Sequence, residues 1–380
     1  MRVQRRQQEG SIAFDLLDDH DRPIAEVAGF LRHLGARACS PNTLCAYTHD
    51  LLHFYQFLEL TGLNVDGFGP PESLALLEHL RRVPSRRPTG RLDLVLTTTI
   101  ASGGSATRLA PATVNRIFAA ISSFYEYLIV SGRWPTENPI QQRPDPALAR
   151  VSDRHRPFMG LASRQRPVRR VVRVRTIQRL PRPLDEEQVA ALLGSLKRWR
   201  DRAMVLLMLH GGLRPGEVLS LHLDDVQYGR RRIIIRYHTD HPKGARTKSR
   251  TERVVDLHES ATLESVSRYV MDERPRDAET PFVFLVGGHG GKRCEPLSYA
   301  ALVRLFQRRC DALGIRQPWV TPHALRHTHA TRMWEGGMRE LSLQKRLGHA
   351  SPESTRIYTR VSDPVVVAEY QHALGQQVVP

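Results

Sequence analysis

The sequence predicts a mainly α-helical protein with a small antiparallel β-sheet, built as two domains joined by a basic linker. Three observations predict it. Apolar residues recur at helical spacing through residues 24–58 and 111–130. Pro and Arg crowd residues 133–181, where no period holds for long. Helical patterning then resumes, interrupted by two β-rich runs, Ile233-Ile234-Ile235 and Arg253-Val254-Val255-Asp256-Leu257, which flank a long polar hairpin tip. A chain of 380 residues with 41% hydrophobic content can support about two or three cores.

Taken in order, residues 1–22 read as a short polar lead. Ile24, Val27, Phe30, Leu31 and Leu34 lie on one helical face. Ser40 and Pro41 supply an N-cap and a first-turn proline for a second helix. It is continued by Leu44, Tyr47, Leu51, Leu52, Tyr55 and Leu58 and stopped by Gly62. A third helix is expected from about Glu72 to Arg82. A fourth runs from Pro111 to Val130, with Gly132 just past its end. Residues 23–131 thus form an all-helical domain, and 132–181 a linker that is either a basic contact segment or a solvated tether. The second domain spans 182–374. Asp185 and Gln188 form a capping box ahead of an apolar helix face. Residues 203–209 are apolar all round, the mark of a buried helix. Gly211-Gly212 stops that helix and Pro215 starts the next. Phe282–Val286 reads as a short strand, and helices are expected at 297–313, 322–335, 339–347, 352–360 and 364–374.

Lys and Arg number 56 against 39 Asp and Glu, a net charge of +17, which favours a polyanionic partner such as nucleic acid. Five of the basic residues are lysine (Lys197, Lys243, Lys248, Lys292, Lys345) and the rest arginine, so each lysine invites the question of why it is not arginine. Four cysteines without a C-x-x-C pair fit a reducing compartment. The N-terminus lacks the apolar core of a signal peptide, and no apolar run in the middle of the chain could span a bilayer. A soluble cytoplasmic protein, with no membrane partner, is expected.

Five pieces of the second domain suit one chemical task. In Gly212-Leu213-Arg214-Pro215-Gly216-Glu217, Arg214 stands at a helix start, where it can grip a phosphate bidentately, and Glu217 one turn on can hold its guanidinium. In Pro322-His323-Ala324-Leu325-Arg326-His327-Thr328, His323 and Arg326 share a helix face and can reach one anion. A metal site on His323, His327 and His329 is the rival reading, disfavoured by the nearby arginine and by the lack of an H-E-x-x-H pattern. His327 and His329 are read as core residues. Gly348 ends a helix and exposes His349; Tyr358 follows nine residues later. On the hairpin tip, Arg246-Thr247-Lys248-Ser249 offers a lysine, which can donate a proton where arginine cannot. Lys243 is the alternative donor.

The segments G-L-R-P-G-E-V-L-S-L, H-A-L-R-H-T, L-G-H and T-R-I-Y-T resemble, in order and spacing, the signature of the tyrosine recombinase (phage integrase) family. Ser40-Pro41-Asn42-Thr43-Leu44-Cys45-Ala46-Tyr47 and Ala112-Thr113-Val114-Asn115-Arg116 resemble that family's helical core-binding domain. The resemblance implies a SAM-like core-binding domain and an α+β catalytic domain forming a C-shaped clamp on DNA. It implies Arg214, Lys248, His323, Arg326, His349 and the nucleophile Tyr358 as the catalytic set, Glu217 as support, and no cofactor or metal. It implies double-stranded DNA at specific sites as substrate and a homo-oligomer, dimer to tetramer, on that DNA. The resemblance further implies accessory recombinases as candidate partners, and action at the bacterial nucleoid. The lead and the long linker resemble the transposase-like branch carried by mobile elements more than minimal chromosome-dimer resolvases. A tail at 364–380, with Val366, Val367, Tyr370 and Leu374 on one face, docks either in trans on a neighbour or in cis. A catalytically silent DNA-binding protein, and a type IB topoisomerase-like enzyme or hairpin resolvase, are the alternatives that share these features.

Overall fold

The computed structural model describes residues 1–8, 11–85, 108–134, 137–144, 168–176, 182–238, 240–245, 247, 251–349 and 353–359, with 366, 370–372 and 374. The chain divides into two compact units, residues 1–177 and 178–380.

The first unit opens with a hairpin, not a lead. Strand β1 (Arg2–Gln8) pairs antiparallel with β2 (Ser11–Leu17), Val3 opposite Leu16. Leu16 is buried in the helical core, and the buried Asp15 carboxylate takes a hydrogen bond from Arg6 Nη2 at 3.0 Å. The sequence hides this because β1 is almost wholly polar; its extended state comes from pairing with β2, not from its own pattern. The helices fall close to where the periodicity puts them: α1 (Ala25–Ala36), α2 (Pro41–Thr61), α3 (Pro70–Arg82) and α4 (Pro111–Val130). Ser40 Oγ accepts from the Thr43 amide at 3.1 Å and starts α2; Gly62, at φ +69°, ends it in the left-handed region. Phe30, Phe54, Phe68, Phe124 and Tyr125 interlock at the centre, largely edge-to-face.

Parts of the expected linker also belong to this unit. Ile140 and Val172 are buried in its core. The Asn115 side chain brackets the Val174 backbone, donating to its carbonyl at 2.9 Å and accepting from its amide at 2.8 Å. A short β3 (Gln142–Pro144) pairs with β4 (Val168–Arg170). Residues 145–167, the densest part of the linker, lie outside the described residues.

The second unit begins with α5 (Glu186–Ser195). Its capping box is as expected, with Gln188 N donating to Asp185 Oδ1 at 2.7 Å. Helix α6 (Trp199–His210) is buried on every face from Ala203 to Leu209 and forms the axis of the core. After α7 (Pro215–Leu219) come β5 (Val226–Gln227), β6 (Arg232–Ile235) and β7 (Arg253–Asp256), a three-stranded antiparallel sheet in sequential order. Phe282–Val286 is not a strand. Residues 282–285 are buried, but they meet the rest of the unit through isolated bridges at Phe282 and Leu285. The apolar run there reflects burial without a partner strand. Helices α8 (Ser260–Arg268), α9 (Tyr299–Ala312), α10 (Pro322–Glu335), α11 (Glu340–Leu347) and α12 (Glu353–Thr359) complete the unit, α10 packing on α6 and α11 and α12 on α10. Most of the expected 364–374 helix lies outside the described residues; 366, 370–372 and 374 are helical. No described helix is long and apolar enough to cross a membrane.

Because Leu16 is buried in the first core, Leu16→Ala is expected to destabilise that unit by about 2–4 kcal/mol in urea unfolding. A disordered lead would give no change.

Candidate active site

A buried carboxylate organises the pocket. Glu217 sits in the first turn of α7 with its side chain inaccessible to solvent. Its Oε1 accepts from Arg214 Nη1 at 2.7 Å and from Arg253 Nη1 at 3.0 Å. Its Oε2 accepts from the Arg214 amide at 2.8 Å and from Arg253 Nη2 at 2.7 Å, with Arg326 Nη1 3.8 Å away. Burial is the largest single influence and pushes its pKa up. The hydrogen bonds and charges of Arg253, Arg326 and Arg214 together outweigh burial and hold the carboxyl at about 2. Glu217 is therefore a carboxylate at any working pH, and three guanidinium groups face it.

Those arginines lace together segments far apart in the chain. Arg326, buried on α10, donates to the carbonyls of Gly212 and Leu347, each at 2.6 Å. Burial, then the charge of Arg214, lowers its pKa to about 9, so it remains cationic at neutral pH. Arg214 Nη2 donates to Gly348 O at 3.1 Å, and Arg253 Nε to Arg346 O at 3.0 Å. Two glycines permit this approach. Gly212 and Gly348 both have φ +63°; a Cβ would lie 2.5 Å from the His329 ring at Gly212 and 2.8 Å from Arg253 Nη1 at Gly348.

The tyrosine lies beside this ring of charge. Tyr358 on α12 is 2% exposed, and its hydroxyl is 2.9 Å from His327 Nδ1. The His349 ring stacks parallel to it at 6.4 Å, with Nδ1 2.8 Å from Thr355 Oγ1. Burial raises the Tyr358 pKa, while Arg326 and Arg214 pull it down. Burial and then Arg326 lower that of His327. Burial, followed by the three arginines, pushes His349 down to about 3. Both histidines are thus neutral near pH 7, His327 able to accept a proton and His349 to donate a hydrogen bond.

The structure thus brings together Arg214, Glu217, Arg326, His349 and Tyr358. His323 is exposed on α10, its ring 5.9 Å from that of His327. Lys248 lies outside the described residues, as do Arg246 and Ser249; Lys243 is ion-paired with Glu295 at 2.8 Å. His329 is a core residue as expected, donating from Nδ1 to Leu209 O at 2.9 Å and accepting from Arg346 Nε at 3.0 Å. With both its nitrogens engaged, His323, His327 and His329 do not converge as metal ligands. His327 is the correction: it is not core packing but the partner of the tyrosine hydroxyl. Its position four residues after His323 on one helix was the available signal. Arg253 was also missed, since inside a strand nothing local separates it from an ordinary edge residue.

Comparison with known proteins agrees with this geometry. The phage integrase family matches residues 182–364, which cover the pocket. Transposase A from transposon Tn554 of Staphylococcus aureus is 30% identical over 383 residues, 99% of each chain. The tyrosine recombinase XerC of Caldanaerobacter subterraneus is 26% identical over 90% of this chain and 84% of its own. In fold, the Tn1549 transposon integrase in complex with transposon right end DNA aligns with TM-score 0.59 at 15% identity, over 92% of this chain and all of its own. The XerH recombinase bound to palindromic difH substrate aligns with TM-score 0.56 at 18% identity, over 86% and 78%. With 30% identity sustained across almost the whole chain, and a family match over the unit that holds the arginine pocket, the chain belongs to the phage integrase family of tyrosine recombinases.

Proposed function

We propose that this recombinase cuts and rejoins DNA at specific sites of a mobile element through a 3′-phosphotyrosyl bond on Tyr358. The observation that carries the proposal is the Tyr358 hydroxyl held on the neutral His327, beside three arginines that share one carboxylate. Three guanidinium charges against Glu217 leave the pocket with a surplus of two. A phosphodiester carries one negative charge, and the pentavalent state formed on attack carries about two. The pocket is better matched to that state than to the resting diester.

In the proposed sequence, Tyr358 Oη attacks the scissile phosphorus as its proton passes to His327 Nδ1. His323 acts as an anion donor with Arg214, Arg326 and the Nε2–H of His349. The bond from phosphorus to the 5′-oxygen breaks, and Lys248 protonates the leaving oxygen. A 5′-hydroxyl, from the same or a partner duplex, then attacks the phosphotyrosine and restores the diester. The phosphotyrosyl bond conserves the diester energy, so the exchange needs no ATP. Tyr358 is too buried to meet DNA as it stands, so the reading includes an outward shift of α12 on the substrate. Val366, Tyr370 and Leu374 are exposed apolar residues on the terminal segment, which favours docking on a neighbouring protomer in a dimer or tetramer on DNA. Action would be cytoplasmic, at the nucleoid.

Incubation with nicked candidate sites should give a covalent protein–DNA adduct on a denaturing gel, lost in Tyr358→Phe with DNA binding retained. An adduct persisting in that variant excludes Tyr358 as nucleophile. His327→Ala should slow single-turnover cleavage by about 10²–10⁴-fold without weakening DNA binding; a smaller loss than His323→Ala would assign the proton-acceptor role to His323. Lys248→Arg should slow cleavage of ordinary DNA and be rescued by a 5′-thiolate leaving group, whereas Lys243→Arg should leave the rate near that of the parent.

A further inference from the structure

The segment leading out of β6 carries a side-chain cluster that strand transfer does not use. His222, in the turn after α7, and His238 and Asp240, beyond β6, each present a ligand atom within 4.8 Å of the others. The rings of His222 and His238 stack with centroids 3.7 Å apart and planes at 23°.

The two histidines differ in a telling way. His222 Nε2 is buried and has no hydrogen-bond partner. It lies 3.7 Å from Asp240 Oδ2, beyond hydrogen-bonding reach. Ligands on a tetrahedral ion at about 2.0–2.1 Å stand roughly 3.3 Å apart, so a bound ion would span this gap with a small closure. His238 is oriented from behind. The buried carboxylate of Asp225 accepts from His238 Nε2 at 2.9 Å, and also from Arg236 Nη1 at 2.6 Å and the His222 amide at 2.9 Å. A carboxylate on one imidazole N–H fixes the tautomer and leaves the other nitrogen, Nδ1, as a lone-pair donor, the usual support behind a metal-bound histidine.

We propose that His222, His238 and Asp240 form a binding site for a divalent transition ion of the zinc class. Two nitrogens and one carboxylate oxygen suit such an ion and not Mg²⁺ or Ca²⁺, which take oxygen donors. Closing both lone pairs on one ion requires the His222 ring to turn out of its stack, and its unpartnered Nε2 gives up no hydrogen bond in doing so. The ion would tie the β6–β7 connection to the turn after α7. Thr247 Oγ1 donates to Arg236 O at 3.1 Å, and Arg236 rests on Asp225. The linkage from the ion therefore reaches the residue immediately before Lys248, and its role is positional.

The test uses the full-length protein stripped of metal and no DNA, so its result is independent of the Tyr358 chemistry. Calorimetric titration should show a Zn²⁺ site that Co²⁺ occupies competitively and Mg²⁺ does not. Zn²⁺ should also slow amide hydrogen exchange across residues 236–247. Asp240→Asn, at an exposed side chain that the fold does not depend on, should weaken Zn²⁺ binding at least tenfold, and His222→Gln should do the same. Absence of Zn²⁺ binding by the parent protein overturns the proposal. So does unchanged affinity in Asp240→Asn, because the ion would then sit on other histidines or on cysteines.

Discussion

Glu217 is the constraint on which the second unit's functional end depends. An unpaired buried carboxylate would be costly, and this one is matched by donors from Arg214 and Arg253, with Arg326 close by. The same arginines reach backbone carbonyls at Gly212, Arg346, Leu347 and Gly348. One negative charge thus fixes the α6–α7 turn, strand β7, helix α10 and the end of α11 as a set. Guanidinium suits this work because its planar fork can bond a carboxylate and a carbonyl together, which a lysine ammonium cannot do with the same geometry. On the proposed function, the surplus positive charge left by this structural solution is what meets the DNA phosphate.

Tyr358 shows how the same surroundings act in two directions. Burial disfavours the phenolate, while Arg326 and Arg214 favour it. Burial also keeps His327 and His349 neutral, so the tyrosine has a proton acceptor at one side and a neutral donor at the other. On the proposed function, burial on a short helix would guard the Tyr358 nucleophile against adventitious chemistry until the substrate draws it out. The small cluster of Ala330, Leu343, Leu347 and Tyr358 is separate from the main core, which places α12 among the more weakly held elements.

The sequence by itself determined the elements and most of the pocket's members. Helix limits were legible because caps, prolines and glycines act within four residues, as at Ser40, Asp185 and Gly62. Arg214, Glu217, Arg326, His349 and Tyr358 were legible because local motifs carry them. Tertiary structure alone decided the rest. Polar β1 became a strand by pairing with β2, Val172 and Val174 left the linker to join a core, and the apolar run at 282–286 found no strand beside it. Arg253 acquired its role from a glutamate 36 residues away, and His327 from a hydroxyl 31 residues away. The physical reason is one of range. Helical hydrogen bonds and caps close over a single turn, so their signals are written side by side, whereas a buried charge or a strand edge is satisfied by whatever the fold brings to it.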